Sequence, residues 1–447
     1  MSVARGPRAR SLITPGARQP QLPVVAGASA VPALDARVPA PEATAAADRS
    51  GAHFPCIEGL RALAALAIVV LHVTFLSGHM FQHGYGRYLA RLDIGVPIFF
   101  VISGCLLYQP FVSRHLGGRP SLDVRRYALR RLLRIIPAYW VALAVTCFVA
   151  RTHPVANAGE AMVLFGFGQI YSGHLMHHGI QQAWSLCTEM TFYAFLPLWA
   201  VALRSVSGSA NARPTDEGQA LAPSASARPS LHGPGRPVVI EVAGVALLFI
   251  LGLAVRLSMS IARPSPLFIG YAWLPTNIDL FALGMGLAVA RAHADAGGRL
   301  PQWLAAAGRW PVLSWAVAIS AFWLVSNHAG LRLDYGDLHA GQWMSREILY
   351  GVASACLVAP VVLGDQRRGP GRRALASRPV VVLGLVSYGV YLWHELWQDE
   401  WRRWTGYRPF TGHVGSMMVT VLGLGLAVAA LSYVAVERPF LRLKPQR

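Results

Sequence analysis

RALAALAIVVLH, residues 61–72, begins with an arginine, continues through ten residues without charge or amide, and ends on a histidine. With its flanks it forms an apolar run over 59–77, and about 20 such residues cross the hydrocarbon core of a bilayer as a helix. Comparable runs recur as far as residue 436. They predict spanning helices near 59–77, 94–112, 135–152, 184–203, 237–258, 270–291, 309–327, 345–364, 380–398 and 414–436. The expected fold class is therefore all-α: a polytopic membrane helical bundle of about ten transmembrane helices.

Composition agrees. The 447 residues are 54% hydrophobic and only 14% charged, with a mean hydropathy of +0.41, whereas a soluble domain carries about 25% charge. A net charge of +19 would suit a nucleic-acid partner. Most of the excess arginine, however, sits in short loops between apolar runs, where the cytoplasmic bias of basic residues accounts for it. No nucleic-acid partner is expected. Cys56, Cys105, Cys147, Cys187 and Cys356 are scattered, with no CxxC or Cys/His cluster. They read as small buried residues, with neither a metal site nor a disulfide framework.

Residues 1–52, rich in Ala, Pro and Arg, read as a disordered cytoplasmic tail, although an arginine-rich, acid-poor start can also imitate an organellar transit peptide. The membrane domain covers 53–440, and 441–447 is a short cytoplasmic tail. Within the domain, 204–236 is a Ser/Ala/Pro/Gly-rich flexible cytoplasmic loop. Segment 157–171 (NAGEAMVLFGFGQIY) is short, broken by glycine and contains Glu160. If it does not cross, the arginine-bearing loops 113–134, 204–236, 292–308 and 365–379 share one side with both termini, as the positive-inside rule requires. Both termini are therefore placed in the cytoplasm, with 157–171 a re-entrant or surface element on the outer side.

Polar residues within such helices are costly and mark functional sites or polar cavities. Eleven residues along a helix advance about 16 Å in roughly three turns, so Arg61 and His72 share a face. A lone His72 fits a structural hydrogen bond between helices as well as a catalytic role. In AWSLCTEMTFYAFLP, 183–197, Ser185, Glu189 and Tyr193 stack four residues apart on one face. Glu189 lies about as deep from the outer surface as His72, which invites a His–Glu pair. Such a pair serves a general base, a structural contact or a transporter's proton relay. In YALRRLLRIIPAYW, 127–140, Arg131 and Arg134 share a face where the chain re-enters the membrane. They read as topology signal or, with Arg61, as a clamp for phosphates. A coenzyme A thioester fits the second reading: arginines hold its phosphate-rich head, and its thin arm runs into the bundle toward His72.

The stretches IEGLRALAALAIVVLH, FFVISGCLLY, RRLLRIIPAYW, WSLCTEMTFYAFLP, SYGVYLWH and VERPF occur in order between residues 57 and 440. Together they resemble the acyltransferase-3 family of bacterial integral membrane acyltransferases. The resemblance implies about ten spanning helices with cytoplasmic ends, in the bacterial cytoplasmic membrane. It also implies transfer of an acyl group, often acetyl, from a cytoplasmic donor to a hydroxyl of a glycan or related acceptor. It assigns Arg61 and His72 as the Arg-ten-His pair, Arg131 and Arg134 as the Arg-x-x-Arg pair, and Glu189 as the acid of the WSL…E stretch. Ser103, Ser185, Tyr391 and His394 also match family positions, and His394 would line the acceptor path or anchor at the interface. Two departures stand out. Pro97 occupies the place before FF where relatives often carry an acid, and no hydrolase-like domain follows VERPF, so transfer is expected to finish within the membrane domain or on another protein.

The expectation is thus an O-acyltransferase with acyl-CoA as co-substrate and no permanently bound cofactor or metal. His72 is its general base and Glu189 assists; Arg61, Arg131 and Arg134 bind the donor, while Ser103, Ser185, Tyr193, Tyr391 and His394 support the acceptor path. Direct transfer is preferred to an acyl-histidine, since no activated Ser or Cys nucleophile stands out. A proton-coupled transporter using His72 and Glu189 is the competing reading.

Overall fold

The computed structural model describes residues 54–209, 235–263, 265, 267–333 and 336–443. The tail 1–52, most of loop 204–236 and residues 444–447 lie outside the described residues. The described residues hold ten long helices: α1 Pro55–Leu76, α2 Gly95–Leu116, α3 Val124–Ala144, α4 Trp184–Ser209, α5 Arg236–Ala262, α6 Leu274–Asp295, α7 Pro311–Asn327, α8 Ala340–Leu363, α9 Arg378–Thr405 and α10 Val414–Ser432. Among the described residues, nine of these, with their short extensions, are long and apolar enough to cross a membrane. α7, with 17 residues, falls short by itself and follows the short helix Gln302–Arg309 across a 98° bend. The protein is a multi-pass membrane bundle.

Several boundaries differ from the sequence expectation for local reasons. α3 starts at Val124, well inside the expected loop 113–134, because Asp123 caps it by accepting the Arg126 N–H at 3.2 Å. The arginines that follow are good helix formers. The arginine-rich stretch is therefore the first half of a helix rather than a loop. α4 likewise runs through Ser209, into the expected linker. Segment 157–171 forms only the helix Ala158–Phe165 and the turn Gln169–Tyr171. Eight helical residues rise about 12 Å, well short of a crossing.

α6 is the centre: 78% of its apolar window is buried, against 22% for α5 and for α10, which face outward. It crosses α2 closely because each helix offers a glycine to the other's backbone. A Cβ on Gly104 would lie 2.1 Å from the Phe281 carbonyl oxygen, and one on Gly284 would lie 2.0 Å from that of Val101. Small residues permit this approach between membrane helices. Beside the crossing, the Phe281 ring stacks on Phe192 and Phe100 at 4.1 and 4.6 Å. Gly104→Ala is expected to push the two backbones apart and to destabilise by about 1–3 kcal/mol, the cost of overpacking. A lower thermal midpoint in detergent checks it; an unchanged midpoint contradicts it.

Polar ties fix the two ends. At one, Arg372 donates to the Gly308 and Pro360 carbonyls, and its own carbonyl accepts from the Cys56 thiol. At the same end Glu241 accepts from Tyr108 and lies against His115, whose other ring nitrogen sits 3.0 Å from Ser207 Oγ. At the opposite end Asp93 accepts from Arg346 and Tyr350, and Trp273 donates to the Ile170 carbonyl at 2.6 Å. These contacts set the depth at which the polar residues of α1, α4 and α9 meet.

Candidate active site

α9 packs against α1, and Gly384 permits it: a Cβ there would meet the Glu58 carbonyl oxygen at 2.1 Å. Ten residues further along α9, His394 reaches His72, with Nε2 of His394 2.8 Å from Nδ1 of His72. The rings lie nearly coplanar, 13° apart. His394 is fully buried, and its Nδ1 sits 2.8 Å from the Tyr391 carbonyl.

Hydrogen bonding fixes the tautomers. A carbonyl only accepts, so Nδ1 of His394 carries the proton and its Nε2 offers a lone pair. Nδ1 of His72 must then donate to it. Neutral His72 is left with its lone pair on Nε2, the ring edge turned away from His394. A carboxyl oxygen of Glu395 lies 3.2 Å from the same Nδ1. His72 and Glu395 both line a cavity of about 370 Å³ that also reaches Tyr391, Arg91 and Arg346. The arrangement is that of a base oriented by a second group and facing an open volume. The facing atoms of His72, His394 and Glu395 lie within 4.8 Å of one another, a spacing that would also suit a metal ion. The His72–His394 hydrogen bond accounts for both facing nitrogens, and an ion would have to displace the proton between them.

Two expectations are corrected. Glu189 is not the partner of His72: it accepts from Ser103, and from Tyr193 at 2.9 Å. Four residues before it, Ser185 meets the Tyr391 hydroxyl at 2.8 Å, so Glu189 lies about 6 Å further along α4, toward the arginines. Equal depth in the sequence did not become contact. His394 neither lines the acceptor path nor anchors at an interface, because it lies wholly behind His72. The carboxylate beside His72 is Glu395, which the sequence reading passed over although it adjoins His394 in the HE pair of α9.

The arginines do assemble. Arg134 lies within electrostatic reach of Arg61, Arg131 and Glu58, and Arg61 is 3.6 Å from Glu58. Nε of Arg131 is buried with no hydrogen-bond partner among the described residues. Glu437, of the VERPF stretch, also acts on this cluster through Arg134 and Arg61. Between cluster and cavity come half-buried polar side chains: Tyr193, Glu189 and Ser103, and Tyr388 with its hydroxyl donating to the Ile135 carbonyl at 3.0 Å. Next come Ser185 and Tyr391, whose hydroxyl donates to the Gln182 carbonyl at 2.7 Å while Gln182 donates back to the Tyr391 and Leu392 carbonyls. These bonds lock the start of α4 to α9 at the level of His72.

Comparison with known proteins follows the same stretches. The chain is 27% identical over 419 residues to BcsY of Komagataeibacter xylinus, assigned as a membrane-bound transacylase, covering 86% of this chain and 81% of the relative. It is 29% identical over 161 residues to the peptidoglycan O-acetyltransferase OatA of Listeria monocytogenes, covering 32% of this chain and 24% of that one. To YrhL of Bacillus subtilis, assigned as a peptidoglycan O-acetyltransferase, it is 23% identical over 364 residues, 76% of this chain and 48% of the other. The chain thus spans most of BcsY but half or less of the two peptidoglycan enzymes. No solved structure matches it. The family model for the acyltransferase domain covers residues 54–436, from the first turn of α1 to the VERPF stretch, and the chain belongs to the acyltransferase-3 family.

Proposed function

We propose that the protein is an O-acyltransferase that takes an acyl group from acyl-CoA at the arginine-rich end and delivers it to a hydroxyl in the cavity at the other end. The observation that carries this reading is the oriented histidine. A buried hydrogen-bond chain from the Tyr391 carbonyl through His394 leaves Nε2 of His72 basic beside an open cavity. His72 removes the acceptor's proton as the hydroxyl oxygen attacks the thioester carbonyl; the C–S bond breaks, and the proton passes to the departing thiolate. Arg61, Arg131 and Arg134 hold the donor's phosphates, and Ser103, Glu189 and Tyr193 border the route of its arm.

Orientation follows from charge. The end carrying Arg114, Arg119, Arg125, Arg126, Arg299, Arg309, Arg367, Arg368 and Arg373 is read as cytoplasmic. On that reading the two ends of the membrane domain lie inside, the cavity outside and the donor in the compartment where coenzyme A is found. The relatives' names point to acetyl as the group and to a cell-surface glycan as the acceptor. A transporter relaying protons between His72 and Glu189 lacks support, because Glu189 is held by Ser103 and Tyr193.

Arg131→Ala and Arg134→Ala are expected to raise the KM for acetyl-CoA about tenfold or more each, the worth of a charge-assisted contact to phosphate, with a smaller change in kcat. Label transfer from acetyl-CoA supplied to inside-out membrane vesicles measures it. An unchanged KM in both variants removes the arginines from the donor site. Absence of label transfer in wild-type vesicles, with longer acyl-CoAs tried as well, removes acyl-CoA as donor.

A further inference from the structure

The wall of the cavity away from His72 carries more charge than the transfer requires. Among the described residues, Arg91, Arg256 and Arg346 line this wall together with Asp93 and Glu347, while Glu395 lies on the His72 side. Asp93 is engaged by Arg346 and Tyr350, and Glu347 by Arg256 at 3.1 Å. Arg91 also lies within electrostatic reach of Asp93, so two guanidiniums share that one carboxylate. Arg91 is only 8% exposed and uses one nitrogen on the Arg332 carbonyl at 2.8 Å, leaving most of its five-donor fork. Arg256, 3% exposed, keeps a buried Nε without a hydrogen-bond partner among the described residues. Buried donors of this kind are costly unless something pairs with them. His177, which also lines the cavity, does not add to the positive charge, since burial and the neighbouring His178 hold its pKa below the ordinary histidine value.

The same wall is aromatic. Tyr271 and Trp343 stack at 4.1 Å and 17°, and Phe268 meets Tyr271 edge-on at 6.0 Å. All three line the cavity, and the Arg346 guanidinium sits over the Trp343 ring at 5.5 Å. Flat aromatic faces suit the C–H faces of a sugar ring, and guanidinium forks suit an oxyanion. At about 370 Å³ the space is at the small end of ligand pockets, enough for a sugar unit rather than a long chain.

We infer that the acceptor is a sugar bearing an oxyanion, a carboxylate or a phosphate, which Arg91 and Arg346 hold over the Tyr271–Trp343 platform while a ring hydroxyl faces His72. This deepens the proposed function and rests on it. The shared chemistry is the oxyanion; which kind it is remains for the probes to separate.

The test uses the full chain in lipid nanodiscs. It compares binding of methyl β-glucoside, methyl β-glucuronoside and glucose 1-phosphate, read by tryptophan fluorescence and by calorimetry. At least one anionic probe is expected to bind about tenfold or more tighter than the neutral glucoside, and added salt should erode the difference. Arg91→Gln should abolish most of the discrimination while leaving the weak neutral binding. His72→Ala should leave discrimination intact. Equal affinity for neutral and anionic probes in the wild type, or no saturable binding of either anionic probe, overturns the proposal without recourse to a variant. Discrimination that survives in a folded Arg91→Gln protein overturns the assignment of Arg91. Failure of the acyltransferase reading would show separately, as absence of label transfer from acyl-CoA in wild-type vesicles.

Discussion

Replacing His72 by alanine is expected to lower acyl transfer by about 10²–10⁴-fold, the range that a positioned general base supplies. The size of the effect follows from the geometry. Nδ1 of His72 is committed to His394 and Glu395, so the one remaining nitrogen faces the cavity and nothing behind it can take over. The measurement is coenzyme A release from labelled acetyl-CoA by inside-out vesicles at equal expression of wild type and variant. The His72 side chain is 28% exposed, so its loss should barely move the thermal midpoint. A folded His72→Ala protein with wild-type turnover would end the general-base reading. The labelled product in the wild type would at the same time identify the acceptor.

Loss of Arg256 is expected to have the largest effect on stability, about 3–5 kcal/mol, the cost of leaving one partner of a buried ion pair alone. Arg256 and Glu347 tie α5 to α8 at 3.1 Å, with side chains 3% and 4% exposed, although the contact lies off the hydrogen-bond direction of the Glu347 oxygen. Arg256 also donates to the Thr276 carbonyl and, at 3.1 Å, to Asn277 Oδ1 at the start of α6. Arg256→Ala would strand Glu347 beside Asp279, two buried carboxylates with their shared cation gone. Heating followed by fluorescence-detected size exclusion checks it. The double replacement Arg256→Met, Glu347→Leu should recover much of the loss, because apolar substitution of both partners is often near neutral. A single variant as heat-stable as the wild type would show that the pair contributes no stability.

Apolar run length was enough to place the helices, because a bilayer core imposes one length on every crossing. Their ends were harder to read. Arg125, Arg126, Arg130, Arg131 and Arg134 looked like loop because they are charged, yet helix propensity and the Asp123 cap carry α3 through them. The site was legible as a set of residue types and depths. His72, His394 and Tyr391 meet, as do Arg61, Arg131 and Arg134. What the sequence could not supply is which helix lies beside which. Glu189 and Glu395 are both acids within apolar runs, and depth alone made Glu189 the better match for His72. The choice was decided by glycine: Gly384 lets α9 close on α1, which brings Glu395 rather than Glu189 to the histidine. Glu395 itself sat near the expected outer end of its span, where an acid attracts no notice. The run 380–398 is in fact the first two-thirds of a helix, Arg378–Thr405, that continues well beyond it.

The eleven residue steps from Arg61 to His72 belong to one unbroken helix, a span of about 16 Å. On the proposed reading α1 is a ruler. It fixes how far the reactive carbonyl must stand from the charged head of the donor, whatever acyl chain lies beyond that carbonyl. Choice of donor then becomes a matter of reach before it is one of recognition. A thioester on a shorter thiol, bound by its charge at the arginines, would stop short of the histidine. The acyl chain itself is measured only by the room left past His72.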